Sequence, residues 1–320
     1  MSLVLAGLAA LVFSLAAFTA FESRRIAARH PPQGRFVRLD GGAIHVVERN
    51  PLGAPRGTVA LIHGASGNAM DMIAALGERL AAQGFRVLSV DRPGHGWSAR
   101  LGGREMASPV RQAAALRQAL GALGVERAIV VGHSLGALSA LATALDAPEF
   151  VAGLVLLAPV SHPWPGGVTW YYPFGARRWL GPPFRRLVAL PGALLSMRAG
   201  IASVFAPAPA PPGFAPATSL PLLLRPLHFK ANAEDAADAK RHAIAMSPRY
   251  REIAAPSMIV SGDRDGIVYT HIHSAGCLRD IAGATLTTLP GVGHSPHHAD
   301  ASAVVAAIVE VARRAGWAEN

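Results

Sequence analysis

The pattern of apolar and polar positions divides the chain into one uninterrupted apolar stretch and a long region in which short apolar runs alternate with amphipathic segments. Residues 2–21, SLVLAGLAALVFSLAAFTAF, carry no charged side chain. A helix of this length rises about 30 Å, the thickness of the hydrocarbon core of a bilayer. The stretch therefore predicts an N-terminal transmembrane anchor, residues 1–22, followed by a basic, proline-containing linker, residues 23–34.

The charges around this stretch predict its orientation. Arg24, Arg25 and Arg29 follow the span directly, so the positive-inside rule places the rest of the chain in the cytoplasm, against the inner membrane if the source is bacterial. A cleavable secretory signal, and hence export, stays open as an alternative. It would carry basic residues ahead of the apolar run, and none precedes Glu22, but small residues near the end of the run suit a cleavage site.

After the linker, the apolar pattern predicts strands and helices in alternation. RFVRLD and AIHVVER predict a β-hairpin around Gly41 and Gly42. Continuous apolar runs then predict buried strands at 58–63, 85–91, 128–133 and 153–159. Helical periodicity lies between them at 68–82, 108–123 and 135–145. Strand and helix repeated in this way predict an α/β fold with a mostly parallel central sheet, flanked by helices on both faces.

Composition and charge narrow the class of protein further. Apolar residues make up 51% of the 320 positions and charged residues only 16%, which provides for a large buried core. The net charge of +10 would suit an anionic partner, but the arginines are scattered and no nucleic-acid-binding motif accompanies them. We therefore expect no nucleic-acid partner. Cys277 is the single cysteine, so it forms no intrachain disulfide, and we expect it in the core.

The strongest chemical signal is a serine between two glycines, Gly132-His133-Ser134-Leu135-Gly136, with a predicted strand before it and a predicted helix after it. A strand that turns into a helix within one residue strains the backbone, and flanking glycines remove the side chains that would collide there. This context indicates a nucleophile elbow, in which the serine side chain is exposed above the sheet edge. A serine needs a base to take its proton and a carboxylate to orient that base.

Candidates for both partners follow at the ends of two further predicted strands. MIVSGDRDGIV (258–268) ends in a turn with Asp263 and Asp265, and TLTTLPGVGHSPH (285–297) leads into a glycine-rich turn with His294. With His63-Gly64, the segment DRPGHG (91–96) and the elbow, these motifs occur in the order found in α/β-hydrolases. The chain from about Arg35 to Trp317 resembles that family.

The resemblance implies a role for each motif residue. Ser134 would be the nucleophile, His294 the general base and Asp265 the orienting acid, because the family pattern G-x-x-D selects Asp265 over its rival Asp263. Asp263 is expected to be a solvated or turn-capping residue. His297 and His298 compete with His294 as the base, but they lack its Gly-x-Gly turn and are expected to be surface residues at the start of a helix.

The oxyanion formed during acyl transfer needs hydrogen-bond donors. The N–H of Leu135 is one candidate, because it directly follows the nucleophile at the positive end of a helix. The family's His-Gly-x turn implies that the N–H of Ala65 is the second. Ser66 is interpreted as a helix-entry residue, with an extra donor as the alternative. His63 and His133 are expected to hold backbone rather than to react.

The sheet pattern lapses between residues 160 and 253, which predicts a cap inserted into a core made of residues 35–159 and 254–320. This segment is rich in tryptophan, tyrosine and proline, and a cap over the serine would create an apolar pocket. A surface insertion without substrate contact is the alternative. The arginines at 177, 178, 185 and 186 could instead rest on a membrane surface.

These features favour a membrane-anchored serine hydrolase that cleaves carboxylic esters of lipophilic acids through an acyl-enzyme. Haloperoxidase, perhydrolase or C–C bond hydrolysis on the same triad, and a non-catalytic hydrolase-like binding protein, remain alternatives. Epoxide hydrolase and dehalogenase are disfavoured, since they use a carboxylate where this chain has Ser134. No cofactor is expected. No metal is expected either, because His294, His297 and His298 lack carboxylate or thiolate partners at ligand spacing.

Overall fold

The computed structural model describes residues 2–317, so Met1 of the predicted anchor and residues 318–320 of the predicted core lie outside the described residues. The first element is helix α1, Ser2–Arg29. It continues through most of the segment that the sequence predicts as a linker. No proline or glycine interrupts residues 23–29, so the helix ends only where Pro31 and Pro32 approach.

A single sheet forms the centre of the molecule. In the described part of the chain it has eight strands, in the spatial order β1-β2-β4-β3-β5-β6-β7-β8. The strands are β1 (Arg35–Leu39), β2 (Gly42–Arg49), β3 (Gly57–Ile62), β4 (Phe85–Val90), β5 (Ala128–His133), β6 (Val151–Leu157), β7 (Ser257–Gly262) and β8 (Thr285–Leu289). β1 and β2 form the predicted hairpin, and β2 pairs with β4 in the antiparallel sense. The other neighbours pair in parallel, so the carboxyl ends of β3 to β8 lie at one edge.

Helices cover both faces of the sheet and fill the insertion. Those outside the insertion are α2 (which begins at Ala69 and ends at Ala82), α3 (Pro109–Gly121), α4 (Gly136–Asp146), α9 (His273–Asp280), α10 (Pro296–Ala299) and α11 (Ala301–Arg314). The insertion contains α5 (Tyr171–Gly175), α6 (Gly181–Phe205), α7 (Phe214–Ala217) and α8 (Pro226–Met246). α2 and α6 each include a π-helical turn, at Ile73–Gly77 and Arg185–Ala189 respectively.

Local sequence explains where several of these helices begin. Asn68 caps α2 by accepting a hydrogen bond from the N–H of Met70 at 2.9 Å, and Ser108 caps α3, where Pro109 occupies the first helical position. The interpretation of Ser66 as the helix-entry residue of α2 is therefore wrong. Ser66 lies in a left-handed turn with φ 58°, two residues ahead of the cap.

The core consists of two apolar layers, one on each face of the sheet. Even and odd positions of the strands point to opposite faces, so β3 contributes Ala60 and Ile62 to one layer and Val59 and Leu61 to the other. Cys277 is fully buried in the first of these layers. Because the central strands are covered on both faces, their sequences are continuously apolar rather than alternating.

The insertion, residues 160–253, lies between β6 and β7 and sits at the carboxyl edge of the sheet. Helix α8 of the insertion packs on α4 and on the segment Gly103–Ala107. The C-terminal third of α1 also contacts the insertion: Ile26 is buried against Leu190, Leu222 and Leu224. Two helices among the described residues are long and apolar enough to cross a bilayer, Leu3–Arg29 and Gly181–Phe205.

Candidate active site

Ser134 occupies the sharp turn between β5 and α4. Its backbone adopts φ 49°, a left-handed conformation that is costly for a residue with a side chain. The flanking glycines make this turn possible. A Cβ atom at Gly132 would lie 2.7 Å from the Cα of Ala137, and one at Gly136 would overlap the carbonyl oxygen of His63. The strained turn places the serine hydroxyl at the carboxyl edge of the sheet, where it lines the main cavity.

Two residues from distant strand ends meet this hydroxyl. The Nε2 atom of His294 lies 2.8 Å from the Oγ atom of Ser134, and its Nδ1 atom lies 2.8 Å from Oδ2 of Asp265. The other oxygen of Asp265 accepts hydrogen bonds from the backbone N–H groups of Ile267 and Val268, each at 2.9 Å. Serine, imidazole and carboxylate therefore form one continuous hydrogen-bonded chain, and the carboxylate is held in place by its own loop.

The rival acid has a different position. Asp263 is exposed and accepts a hydrogen bond from the N–H of Gly291 at 2.7 Å. It bridges the turns that follow β7 and β8, as expected of a turn-capping residue. The structure brings Asp265, and not Asp263, to His294.

The two predicted oxyanion donors line the same cavity as Ser134. Among residues 2–317, the N–H groups of Ala65 and Leu135 have no hydrogen-bond acceptor. Leu135 precedes the first turn of α4, where the helix dipole favours negative charge. Two unpaired N–H groups beside a serine hydroxyl form a site that can accept the oxygen of a tetrahedral intermediate.

The loop that carries Ala65 is held by the insertion. Asn232 on α8 accepts a hydrogen bond from the N–H of Ser66 at 2.8 Å and donates one to its Oγ atom at 3.0 Å. The hydroxyl of Tyr172 lies 3.3 Å from the same Oγ atom. Nothing in the sequence around Asn232 indicates this role, since it depends on how α8 packs over the core.

Arg92 holds the other side of this loop. Its guanidinium is buried and donates to the carbonyl oxygens of His63 and Gly64, at 3.0 and 3.2 Å. It also forms an ion pair with Asp235 of α8, with 2.6 Å between Nη1 and Oδ2, and donates to Gln112 at 3.0 Å. One residue thus links the insertion to the loop that carries a candidate oxyanion donor. The motif DRPGHG contains Arg92 but gives no signal for these contacts, because Asp235 lies 143 positions further along the chain.

His63, which precedes the loop that carries Ala65, is neutral at neutral pH. Burial, and next the charge of Arg92, lower the pKa of His63 to about 4. Its Nε2 atom accepts the N–H of Arg92 at 3.0 Å, so the proton lies on Nδ1, 2.9 Å from the carbonyl oxygen of Gly64. His133 donates from Nε2 to the carbonyl oxygen of His294 at 3.0 Å. Both histidines bind nearby backbone, as the sequence analysis expected.

A group of histidines behind the nucleophile shares one carboxylate. Asp71 of α2 lies between His298, 2.9 Å from its Oδ1, and His297, 3.4 Å from its Oδ2. Although burial raises the pKa of Asp71, the hydrogen bonds from these two histidines hold it well below its usual value. The expectation that His297 and His298 lie on the surface is wrong, because α10 turns His297 fully into the interior and His298 largely so.

Asp71 and His297, together with His133 in place of His298, form the candidate metal centre of the described residues. One donor atom from each of Asp71, His133 and His297 lies within 4.8 Å of the others, and the Nδ1 atoms of both histidines are buried without a partner. Burial lowers the pKa of both histidines, so both rings are neutral at neutral pH. Each ring donates its one proton from Nε2, to the carbonyl oxygen of His294 and to Asp71 respectively, which leaves Nδ1 as a free acceptor. The expectation that His297 and His298 lack a carboxylate partner is therefore wrong, because Asp71 is distant in sequence but adjacent in the fold.

The cavity above Ser134 has a volume of about 740 Å³, within the range of small-molecule sites. The insertion provides most of its walls, through α5, α6, α8 and the aromatic segment before α5. Its lining is mainly aliphatic and aromatic and includes Trp164, Trp170, Tyr171 and Phe229. No lysine or arginine of the described residues lines it. The site therefore suits an uncharged, apolar substrate group next to the serine hydroxyl.

Comparison with known proteins agrees with this geometry. Residues 59–308 match the Alpha/beta hydrolase family. A 2-hydroxy-6-oxononadienedioate/2-hydroxy-6-oxononatrienedioate hydrolase of Paraburkholderia phymatum is 38% identical over 121 residues, which are 37% of this chain and 42% of the relative. The chain thus spans less than half of the length of the curated relatives it matches.

Solved structures share the fold over nearly the whole chain. A hydrolase from Pseudomonas aeruginosa PA01 covers 87% of this chain and 97% of its own length, with a TM-score of 0.67 and 24% identity. A membrane phospholipase A covers 99% of this chain and 97% of its own length, with a TM-score of 0.68 and 21% identity. Because both structures are less than 25% identical to this chain, the comparison shows a shared fold and no more.

Proposed function

The chain belongs to the alpha/beta hydrolase family, and from that premise we propose that it is a serine hydrolase that cleaves carboxylic esters of lipophilic acids. The observation that carries the proposal is the hydrogen-bonded chain from Ser134 through His294 to Asp265, with 2.8 Å at each step. It ends at a serine in a strained turn, and this serine lines a largely apolar cavity. These are the parts that acyl transfer through a covalent intermediate requires.

In this mechanism Ser134 is the nucleophile. Its Oγ attacks the acyl carbon while Nε2 of His294 takes the hydroxyl proton, and Asp265 keeps the Nδ1 proton in place and stabilises the imidazolium. The N–H groups of Ala65 and Leu135 bind the oxygen that becomes negative. His294 then gives its proton to the leaving alcohol, which leaves an ester between the acyl group and Ser134. Water, activated by the same imidazole, hydrolyses that ester and restores the serine.

Replacement of the nucleophile tests the proposal. Turnover of p-nitrophenyl butyrate and p-nitrophenyl dodecanoate is measured for the wild type, Ser134→Ala and Ser196→Ala. Ser196 lines the same cavity, but its hydroxyl bonds only to the carbonyl oxygen of Gly192. We expect Ser134→Ala to lower kcat by about 10⁶-fold, to background, and Ser196→Ala to leave it nearly unchanged. Activity that survives in Ser134→Ala rejects the assignment.

A fluorophosphonate probe separates an enzyme from a binding protein with the same fold. We expect the probe to modify Ser134 in the wild type and nothing in Ser134→Ala, because only an activated hydroxyl displaces the fluoride. A wild-type chain that binds acyl compounds but resists the probe would instead be a receptor.

A second candidate function, hydrolysis of a C–C bond, is favoured by the names of the curated relatives. By those names their substrates carry two carboxylates. The cavity of this chain offers no lysine or arginine among its described lining residues to pair with them. We therefore rank the apolar ester first. Loss of the visible absorbance of a 2-hydroxy-6-oxo-dienoate, faster than the hydrolysis of any ester tested, would reverse the ranking.

We further propose that residues 160–253 act as the cap of this site and that α1 anchors the chain in a membrane, with the catalytic core on the cytoplasmic side. Residues 3–14 of α1 are all exposed, and the apolar side chains of Leu3 and Phe13 are among them. Retention of the chain in membranes after an alkaline carbonate wash, with an intact N-terminus, is the expected result. A mature chain that starts after the apolar stretch would instead identify a cleaved signal.

A further inference from the structure

The longest apolar helix of the insertion separates the cavity from the outside. Along one side, α6 lines the cavity with residues at helical spacing, among them Ala189, Ala193, Met197 and Ile201. None of residues 191–200 is buried. A helix that is exposed along two turns and apolar on its outer side is unusual for a protein surrounded by water.

The outer side carries large apolar groups. We call it the outer face and define it by Trp179, Leu180, Val188, Leu194 and Leu195. Leu195 is 89% exposed and Trp179 is 78% exposed. Val188 is 51% exposed and also lines the cavity, so the outer face reaches the rim of the cavity. Arg198 is the only charged residue between positions 187 and 205.

The contacts of α1 fix where this face lies relative to the anchor. Ile26 packs on Leu190 of α6, and Glu22 is buried, so the span must end before this region. Ile26 lies five residues after Phe21, the last residue of the uncharged run, which is about 8 Å along the helix axis. The part of the outer face next to Leu190, around Val188, therefore lies close to the level at which the anchor leaves the hydrocarbon.

Charges around the start of α6 complement an anionic lipid surface. Arg177, Arg178 and Arg185 line a second cavity, which also contains Arg104, Lys230 and Glu234. Arg104 pairs with Asp238 and Lys230 pairs with Glu234. No described carboxylate lies within ion-pair distance of Arg177, Arg178 or Arg186. The guanidinium of Arg178 instead lies over the ring of Trp179, 5.0 Å from its centre. Tryptophan with arginine beside an apolar face is the composition that proteins place at the interface of a bilayer.

On the basis of the function proposed above, we propose that the outer face of α6 rests in the same leaflet as the anchor and that the site takes its ester from the bilayer, past α6. The substrate class is then a membrane-borne lipid ester. Its acyl chain passes the rim at Val188 and reaches Ser134 without crossing water. The arginines at the start of α6 bind the anionic headgroups around it.

The proposed contact between the outer face and the lipid is tested by measuring how deeply position 195 enters the bilayer. The full chain with Leu195→Cys is labelled with the fluorophore NBD and reconstituted into phosphatidylcholine–phosphatidylglycerol vesicles; Cys277 is buried and does not compete for the label. We expect lipids with brominated acyl chains to quench the fluorescence. The matched control is Leu52→Cys, which is also exposed but lies before β3, at the opposite edge of the sheet from the insertion. We expect no quenching there.

Two results of the labelling experiment overturn the proposal. Equal or absent quenching at positions 195 and 52 shows that the outer face does not enter the lipid. Efficient disulfide cross-linking between two Leu195→Cys chains in vesicles shows that a second copy covers this face instead.

Kinetics distinguish this inference from the proposed function. We expect Leu195→Asp to keep kcat/KM for soluble p-nitrophenyl butyrate within about twofold and to lower the rate on a lipid ester embedded in vesicles at least about tenfold, since a charge is disfavoured in hydrocarbon. Leu52→Asp should change neither rate. Equal vesicle rates for wild type and Leu195→Asp overturn the inference alone, whereas a wild type without serine-dependent activity on either ester overturns the proposed function.

Discussion

Replacement of Arg92 by methionine tests how the insertion holds the loop before α2. Arg92 is 1% exposed, and its guanidinium pairs with Asp235 on α8 while it holds the carbonyl oxygens of His63 and Gly64. Methionine fills much of the same space but offers no donor. The substitution thus removes the ion pair and both loop contacts without opening a large cavity.

The structure sets the size of the effect on stability. Loss of one partner of a buried ion pair costs about 3–5 kcal/mol when the remaining charge stays uncompensated. Asp235 keeps a second partner, because Nη2 of Arg100 lies 2.8 Å from its Oδ1 atom. The carbonyl oxygens of His63 and Gly64 each lose a donor, at about 1 kcal/mol apiece. We therefore expect Arg92→Met to lower the free energy of unfolding by about 4 kcal/mol.

The effect on catalysis follows from the position of the loop. The two carbonyl groups that Arg92 holds belong to the residues just before Ala65, the candidate oxyanion donor. One such donor is worth about 10²–10³-fold in kcat. Partial misplacement of Ala65 should lower kcat for a soluble ester by about 10–100-fold, with little change in KM.

Urea unfolding of the detergent-solubilised full chain measures the stability, with Arg111→Met as the matched control. Arg111 forms an exposed ion pair with Glu105 at 3.1 Å, and such pairs contribute less than about 1 kcal/mol. If Arg92→Met destabilises the protein no more than Arg111→Met, the buried pair does not hold the insertion on the core. If stability falls but kcat stays at the wild-type value, the reasoning about the loop is refuted.

Three further predictions follow from the site and its surroundings. We expect Asp265→Asn to lower kcat by about 10⁴-fold, as loss of the orienting acid does in other triads, and Asp263→Asn to leave it nearly unchanged; equal effects in the ester assay would reverse the assignment of the acid. His63 is neutral when folded, with a pKa of about 4 against 6.5 unfolded, so its contribution to stability is complete above pH 6.5 and falls by about 3 kcal/mol as the pH drops to 4. Thermal unfolding between pH 6.5 and 4 should show a smaller loss of stability for His63→Gln than for the wild type. An equal loss in the two proteins would contradict the prediction. Gly136→Ala should abolish folding into the active form, because the added Cβ overlaps the carbonyl oxygen of His63, and a soluble variant with normal kcat would disprove the close approach.

The order and type of the elements could be predicted from the sequence because each signal is local. Continuous apolar runs such as 128–133 are strands that are buried on both faces, and the glycines on either side of Ser134 are required by a turn of one residue. The order of Ser134, Asp265 and His294 along the chain, together with the resemblance to α/β-hydrolases, was sufficient to select the three residues that the fold brings together. The choice of Asp265 over Asp263 also followed the family pattern.

Expectations about exposure and helix ends were less successful, because they depend on neighbours distant in sequence. His297 was expected at the surface, yet it is buried beside Asp71, more than two hundred positions away. Residues 23–34 were predicted to be a basic, proline-containing linker, but the chain remains helical to Arg29, and Ile26 in this part packs on the insertion.

The sequence by itself determined the central sheet, the elbow and the set of residues that we propose carry out acyl transfer. Backbone geometry and the burial of strands constrain those positions within a few neighbours, so the pattern can be seen in one chain. Only the tertiary structure decided that Asn232 and Arg92 hold the loop of Ala65, that Asp71 joins the histidines, and that α6 presents an apolar face beside the anchor. Each of these contacts joins segments that are distant in sequence, so no local pattern indicates it. Asn232 and Arg92 reach the loop through packing of the insertion on the core, whereas Asp71 meets the histidines where two parts of the core come together.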